Sequence, residues 1–296
     1  MSKYNEVLKK YNLIPNKYTK IGNVSIIDTN KGSYVFKKRY DIDVLNYLKS
    51  RNFLYYPNII DMDDEYIITE YISDSDMPLE QRIDDMIDLV SLMHNKTTHY
   101  KCVSSDDYKK IYEDISNNIV YLYEYYNDIM TLIETKIYMS PQEYFLALNI
   151  SKIYDALSFS KYMLEQWYES VKDKTSKRLV VLHNNLKPEH FIRSDKPYLI
   201  SWDKAKIDMP IFDLYKLYKN SDYNFDFNEA LKRYEKEYPL SDDERMLLFI
   251  LVALPDKIEF SKSNVETCTK IYNMINIMNK TSNMISPYYF KNTEED

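Results

Sequence analysis

The apolar residues of this chain change their spacing once, near residue 72. Ahead of that point they stand in short runs of β-branched and aromatic residues divided by turn residues. Beyond it they recur at steps of three and four over long stretches. This predicts one small sheet-bearing part followed by one larger helical part, because each period buries its apolar side in only one kind of element. In the first part, residues 24–28 and 33–37 read as strands within a β-rich stretch from about 17 to 39. Asn30-Lys31-Gly32 between them supplies the positive φ of a tight hairpin. A helix is predicted over 41–50, with Ile42, Leu45 and Leu48 on one side. Strands over 57–61 and 65–72 follow, joined by the acidic turn 61–64.

From residue 73 the pattern is helical. Residues 82–94 are amphipathic, and 108–137 carry Ile, Leu and Tyr at helical spacing. Ile153, Leu157, Leu164, Trp167 and Val171 fall on one helix face, which the polar stretch 172–178 ends. Two short buried strands, 179–182 and 198–200, are expected around a loop. Ser241-Asp242-Asp243-Glu244 is a capping box ahead of the apolar run 246–254. Val265, Cys268, Tyr272 and Ile275 mark a last helix, and a frayed acidic tail is expected after Lys291. The expected fold class is α+β, with an N-lobe over 1–72 and a helical C-lobe over 73–296.

Composition removes several function classes. A net charge of −7 and a pI near 5.3 argue against nucleic acid as a partner. Cys102 and Cys268 have neither metal-binding spacing nor a disulfide framework, so a reduced, cytoplasmic setting is expected. The first residues lack the apolar core of a signal peptide, and the longest apolar run is far too short to span a bilayer, so no membrane partner is expected. The 31 tyrosines beside only 2 glycines look like the codon bias of an AT-rich genome rather than a structural device. Two glycines still exclude a Gly-rich phosphate loop of Walker or dinucleotide type.

The informative segment is His183-Asn184-Asn185-Leu186-Lys187-Pro188-Glu189-His190. It closely resembles the kinase catalytic loop H-R-D-L-K-P-E-N, and the H-G-D-x-x-x-x-N loop of small-molecule kinases. Leu199-Ile200-Ser201-Trp202-Asp203 resembles the metal-binding strand of aminoglycoside and choline-type phosphotransferases, and Ile211-Phe212-Asp213-Leu214 resembles their D-L-A signature. Upstream and in the right order, Val35-Phe36-Lys37 is similar to the strand-lysine motif, Glu70-Tyr71-Ile72 to the hinge strand, and Ser91-Leu92-Met93-His94 to the L-x-x-L-H helix. The match runs over roughly residues 17–255, with the catalytic-loop-like segment at 179–214. The helical insertion before it is similar to that of bacterial spore-coat kinase-like proteins. Without a G-x-G-x-x-G loop, D-F-G or A-P-E, the small-molecule branch of this bilobal, protein-kinase-like superfamily fits better than the protein-kinase branch.

The resemblance implies roles by position. Lys37 and Lys187, with Lys204, would hold nucleotide phosphates. Asp41 would stand where the helix-C carboxylate pairs with the lysine, and the backbone at Glu70 and Ile72 would meet the adenine. His183 and Asp213 would brace the loop. The chemical positions are changed: Asn185 replaces the base, His190 the metal-binding asparagine and Ser201 the metal-binding aspartate. An amide accepts no proton near neutrality, and imidazole and a neutral hydroxyl suit magnesium poorly. A two-residue slip would bring Asp203 to the metal position, although Leu199-Ile200 and Trp202 favour Ser201. The resulting expectation is a pseudokinase, a binding or scaffolding module with no certain cofactor. Its lysines are compatible with ATP, its metal positions do not suit magnesium in its usual geometry, and its partner could be a nucleotide, a small molecule or a protein. The alternatives are an active phosphotransferase using Glu189 or Asp203 as displaced carboxylates, and a structural protein of the spore-coat kind. A zinc site from His183, His190 and Asp203 lacks suitable spacing. His94 and His99 read as structural or surface residues, and the Tyr121, Tyr123, Tyr125, Tyr126 cluster as the core and surface of one helix.

Overall fold

The computed structural model describes residues 5–220 and 225–289, so the tail expected after Lys291 lies outside the described residues. The chain forms two compact units. One comprises residues 1–98, 180–208 and 233–238, and the other 99–179, 209–232 and 239–296.

The first unit opens with a short helix, α1 (Asn5–Lys10), and three strands, β1 (Pro15–Ile21), β2 (Val24–Thr29) and β3 (Gly32–Lys38). Thr29 pairs with Gly32 across the predicted hairpin, and Gly32 takes φ 127° where a side chain would be strained. Helix α2 (Asp43–Ser50) buries Leu45 and Leu48. Asn52, at φ 56°, then turns the chain so that Phe53 N–H donates to Leu48 O at 2.9 Å, a left-handed helix stop made without glycine. β4 (Ile59–Met62) and β5 (Tyr66–Glu70) complete an antiparallel sheet of order β1-β2-β3-β5-β4. Leu8, Leu13, Ile27, Phe36 and Ile68 form a core against it, with Tyr11 and Tyr34 packed alongside. The sheet ends at Glu70, beside the boundary expected at residue 72. Compactness gathers α3 (Leu79–Thr97) and residues 180–208 into the same unit.

The second unit is mainly helical. After β6 (His99–Cys102) come α4 (Ser105–Glu134) and α5 (Pro141–Val171), each started by a capping box, Ser104 with Asp107 and Ser140 with Glu143. The tyrosine cluster divides as expected, with Tyr126 buried and Tyr121 and Tyr123 on the surface. β7 (Ser176–Leu182) pairs its first residues with β6 in this unit; in the first unit its last residues pair with β10 (Lys206–Asp208). Between them in sequence lie β8 (Phe191–Arg193) and β9 (Pro197–Leu199), an antiparallel pair of the first unit. Helices α6 (Ile211–Asn220), α7 (Phe227–Glu237), α8 (Asp242–Ala253) and α9 (Asn264–Tyr289) follow. The predicted capping box opens α8, and its Glu244 also pairs with Arg178. Among the described residues no helix is long and apolar enough to cross a membrane.

Helix α3 is tied to the candidate loop through Thr97. Its buried hydroxyl donates to Met93 O at 2.8 Å and accepts the Val181 N–H at 3.1 Å. Thr97→Val keeps the shape and leaves that N–H without its acceptor. It should cost about 1–3 kcal/mol, read as a lower midpoint in urea unfolding.

Candidate functional site

The last three residues of β7, Val180, Val181 and Leu182, are fully buried and deliver His183 to the start of the loop. His183 is itself buried, and its Nε2–H donates to Ile200 O at 2.7 Å. Asn184 adopts φ 56° and donates from Nδ2 to Lys204 O at 3.0 Å. A 3-10 turn over Pro188–His190 brings His190 back, so that its Nδ1–H donates to Asn185 O at 2.6 Å while Ile200 N–H donates to His190 O at 2.9 Å. The loop is thus bonded at three points to the segment after β9.

That segment is anchored by Trp202. Its indole is buried, packs edge-on at 4.8 Å from the His183 ring and against Phe53 and Tyr56, and donates from Nε1 to Leu199 O at 2.7 Å. Just before it, Ser201 holds the left-handed conformation, φ 69° and ψ 52°, uncommon for a residue that is neither glycine nor asparagine.

Electrostatics links this loop to the sheet. Burial lowers the Lys37 pKa on β3, and the Asp203 charge opposes that. Burial, then the Asp203 charge, pushes the Tyr40 hydroxyl up to about 12. His190 is lowered, first by burial and also by the cations of Lys187 and Lys37, against its hydrogen bond to Asn185 and the charge of Glu189. Lys37, Tyr40, Lys187, His190 and Asp203 therefore share one field. Of the two residues weighed for the metal position, Asp203 is exposed and supplies the negative charge, whereas Ser201 is half-buried and carries the strained backbone.

The remaining expected residues have the following surroundings. Asp41 lies outside α2 and accepts the Asp43 N–H at 2.9 Å, and no ion pair joins it to Lys37 among the described residues. Glu70 uses its carboxylate on the Asn58 backbone and side chain, both at 2.9 Å. Ile72 follows the last sheet hydrogen bond, from Tyr71 N–H to Ser33 O. Glu189 is exposed. Asp213 belongs to the second unit, fully buried in the first turn of α6. The rings of His183 and His190 are 6.0 Å apart, but no group of three His, Cys, Asp or Glu among the described residues could hold a metal ion. His94 is structural, buried with Nδ1 at 2.6 Å from the Tyr234 hydroxyl. Sequence reasoning missed Tyr40, which follows the Lys37-Lys38-Arg39 run and has no motif of its own.

No protein-family model and no curated protein matches the sequence. Solved structures do. An aminoglycoside phosphotransferase from Alicyclobacillus acidocaldarius superposes with a TM-score of 0.72 at 11% identity, covering 97% of this chain and 95% of that one. The chain has the fold of an aminoglycoside phosphotransferase. A spectinomycin phosphotransferase in complex with ADP and spectinomycin gives a TM-score of 0.53 at 12% identity, covering 94% of this chain and 96% of that one. Its AMP-bound complex gives 0.53 at 14%, with 98% and 94% covered. The phosphotransferase fold expected from the 183–190 loop is therefore present, on a sequence only 11–14% identical to these structures.

Proposed function

We propose that this phosphotransferase-fold chain is a pseudokinase, a binding or scaffolding module that holds a nucleotide and does not phosphorylate a hydroxyl substrate. The observation that carries the reading is Asn185. At the position where a hydroxyl acceptor must surrender its proton stands an amide, and its own backbone carbonyl is already occupied by His190. The spectinomycin phosphotransferase of the same fold was captured with ADP and with AMP. A nucleotide suits this chain as well. Burial leaves the Lys37 ammonium short of solvent, a condition that phosphate oxygens relieve, and Lys187 adds a second cation. At Ile72 the backbone is not used by the sheet and is available to an adenine edge.

Magnesium does not suit the residues present. The amide, imidazole and hydroxyl of Asn185, His190 and Ser201 leave the exposed Asp203 and Glu189 as the carboxylates of this field, so no step is routed through the metal. Calorimetric titration of ATP in EDTA and in magnesium tests the reading. Magnesium should change Kd by less than about tenfold, ~1.4 kcal/mol, and a larger gain in magnesium overturns it. Ser201→Asp adds a carboxylate at a backbone conformation aspartate tolerates, and should introduce magnesium dependence in the same titration.

The Asp203 charge beside Lys37 favours one second reading, a slow phosphotransferase using Asp203 as a displaced carboxylate. Phosphoryl transfer to an added alcohol or aminoglycoside that disappears in Asp203→Ala would replace the first reading with this one.

A further inference from the structure

His190 is half-buried, and its ring is committed on one side only. The hydrogen bond to Asn185 O at 2.6 Å requires the proton on Nδ1, because a carbonyl oxygen only accepts. In the neutral ring the lone pair then belongs to Nε2, which has no hydrogen-bond partner among the described residues. A residue serving only to brace the loop would need Nδ1 alone. Here the second nitrogen is oriented by the first, and the ring lies in a field to which the ammonium groups of Lys187 and Lys37 and the opposing Glu189 carboxylate contribute. A neutral imidazole with one nitrogen held as a donor and a lone pair on the other, near two cations that suit an anion, has the chemistry of a nitrogen nucleophile. The loss at position 185 fits it. A hydroxyl acceptor must give up a proton, and Asn185 cannot take it. An imidazole lone pair carries no proton to remove.

We infer that His190 accepts the terminal phosphoryl group of a nucleoside triphosphate on Nε2, so that the chain modifies itself to a phosphohistidine. The inference rests on the nucleotide reading above. The Nε2 lone pair forms a bond to the γ-phosphorus, and the bond from that phosphorus to the β,γ-bridging oxygen breaks. The nucleoside diphosphate leaves with the electron pair. The ring gains a positive charge, and its Nδ1–H stays donated to the Asn185 carbonyl, which stabilises that charge.

The full chain is incubated with ATP labelled at the γ-phosphate, and ATP binding is measured by calorimetry on the same preparation. The expected result is a base-stable, acid-labile label that mass spectrometry under alkaline conditions places on His190, with ADP formed alongside, and loss of the label in His190→Gln. Binding without such a label, label on another residue, or label persisting in His190→Gln overturns the inference and leaves the nucleotide reading standing. Absence of binding overturns both. Localisation on the unmodified sequence decides the matter even if His190→Gln does not fold.

Discussion

Replacing Lys37 by methionine should weaken ATP binding about ten- to hundredfold, the value of a charge-assisted phosphate contact at ~1.5–3 kcal/mol, while leaving the thermal midpoint of the free protein unchanged or higher. The two halves of this result have one cause. Lys37 sits on β3 opposite Ile67, one position past the buried Phe36, and its ammonium is partly withdrawn from water. Burial outweighs the nearby Asp203 charge, so the folded chain holds the lysine pKa below its unfolded value. Protonated Lys37 therefore opposes folding. That cost is fully present below the folded pKa and fades as pH climbs towards the unfolded one. Methionine fills similar volume without the charge, so folding loses nothing and an anionic ligand loses its counter-charge. Calorimetry and differential scanning of the same two proteins read both effects. A destabilised variant with unaltered ATP affinity would make Lys37 a structural residue.

Trp202→Ala should lower the unfolding free energy by about 3–5 kcal/mol, as expected for truncating a fully packed aromatic. The indole is buried between His183, Phe53 and Tyr56 and is the donor to Leu199 O. Its loss removes packing from beneath the loop and leaves a carbonyl without that donor. Trp202→Phe keeps one aromatic ring in place, trims the other and deletes the N–H, so it should cost less than the alanine variant, about 1–3 kcal/mol. Urea unfolding followed by far-ultraviolet circular dichroism measures both. Equal losses for the two variants would assign the whole effect to the hydrogen bond and contradict the packing argument.

Much of this fold could be read from residue spacing, and the unread parts share a physical reason. β2, β3, α2 and β5 carry their own periodicity and lie where it predicted. The Ser241 capping box marks the start of α8 because the cap is a local device, complete within four residues. The expected helix over 108–137 stops at Glu134, and a new one begins at Pro141, with Ser140 as its cap. The signal was present in Ser140-Pro141 and was outweighed by the apolar run through Ile137. β6, β8 and β10 have three or four residues each and exist through their partners, β7 and β9, which spacing along one segment cannot reveal. α7 was missed because half of what it buries is aromatic, Phe227, Tyr234 and the neighbouring Tyr238, in a chain where tyrosine is everywhere.

The candidate site was legible wherever a motif fixed a position, and opaque wherever tertiary placement decided a role. The 183–190 loop could be found from its letters, but the His190 hydrogen bond to Asn185 could not. Asp41 looked like a partner for Lys37 from its distance along the chain, yet it makes a local turn with Asp43. Tyr40 had no signal at all, since its burial and the Asp203 charge arise only on folding. The shortage of glycine had a second consequence beyond excluding phosphate loops. Beside Gly22, left-handed positions among the described residues fall to Asn12, Asn52, Asn184 and Ser201, the last two within the site itself.

On the proposed reading, Lys37 and Lys187, in the field that also contains His190 and Asp203, hold nucleotide phosphates without help from a divalent ion. A crystal structure of the full chain grown with a non-hydrolysable ATP analogue and excess magnesium tests it most directly. Phosphates are expected on Lys37 and Lys187, with no divalent ion bridging them to the protein. A magnesium ion held by two or more carboxylates beside the phosphates would contradict it.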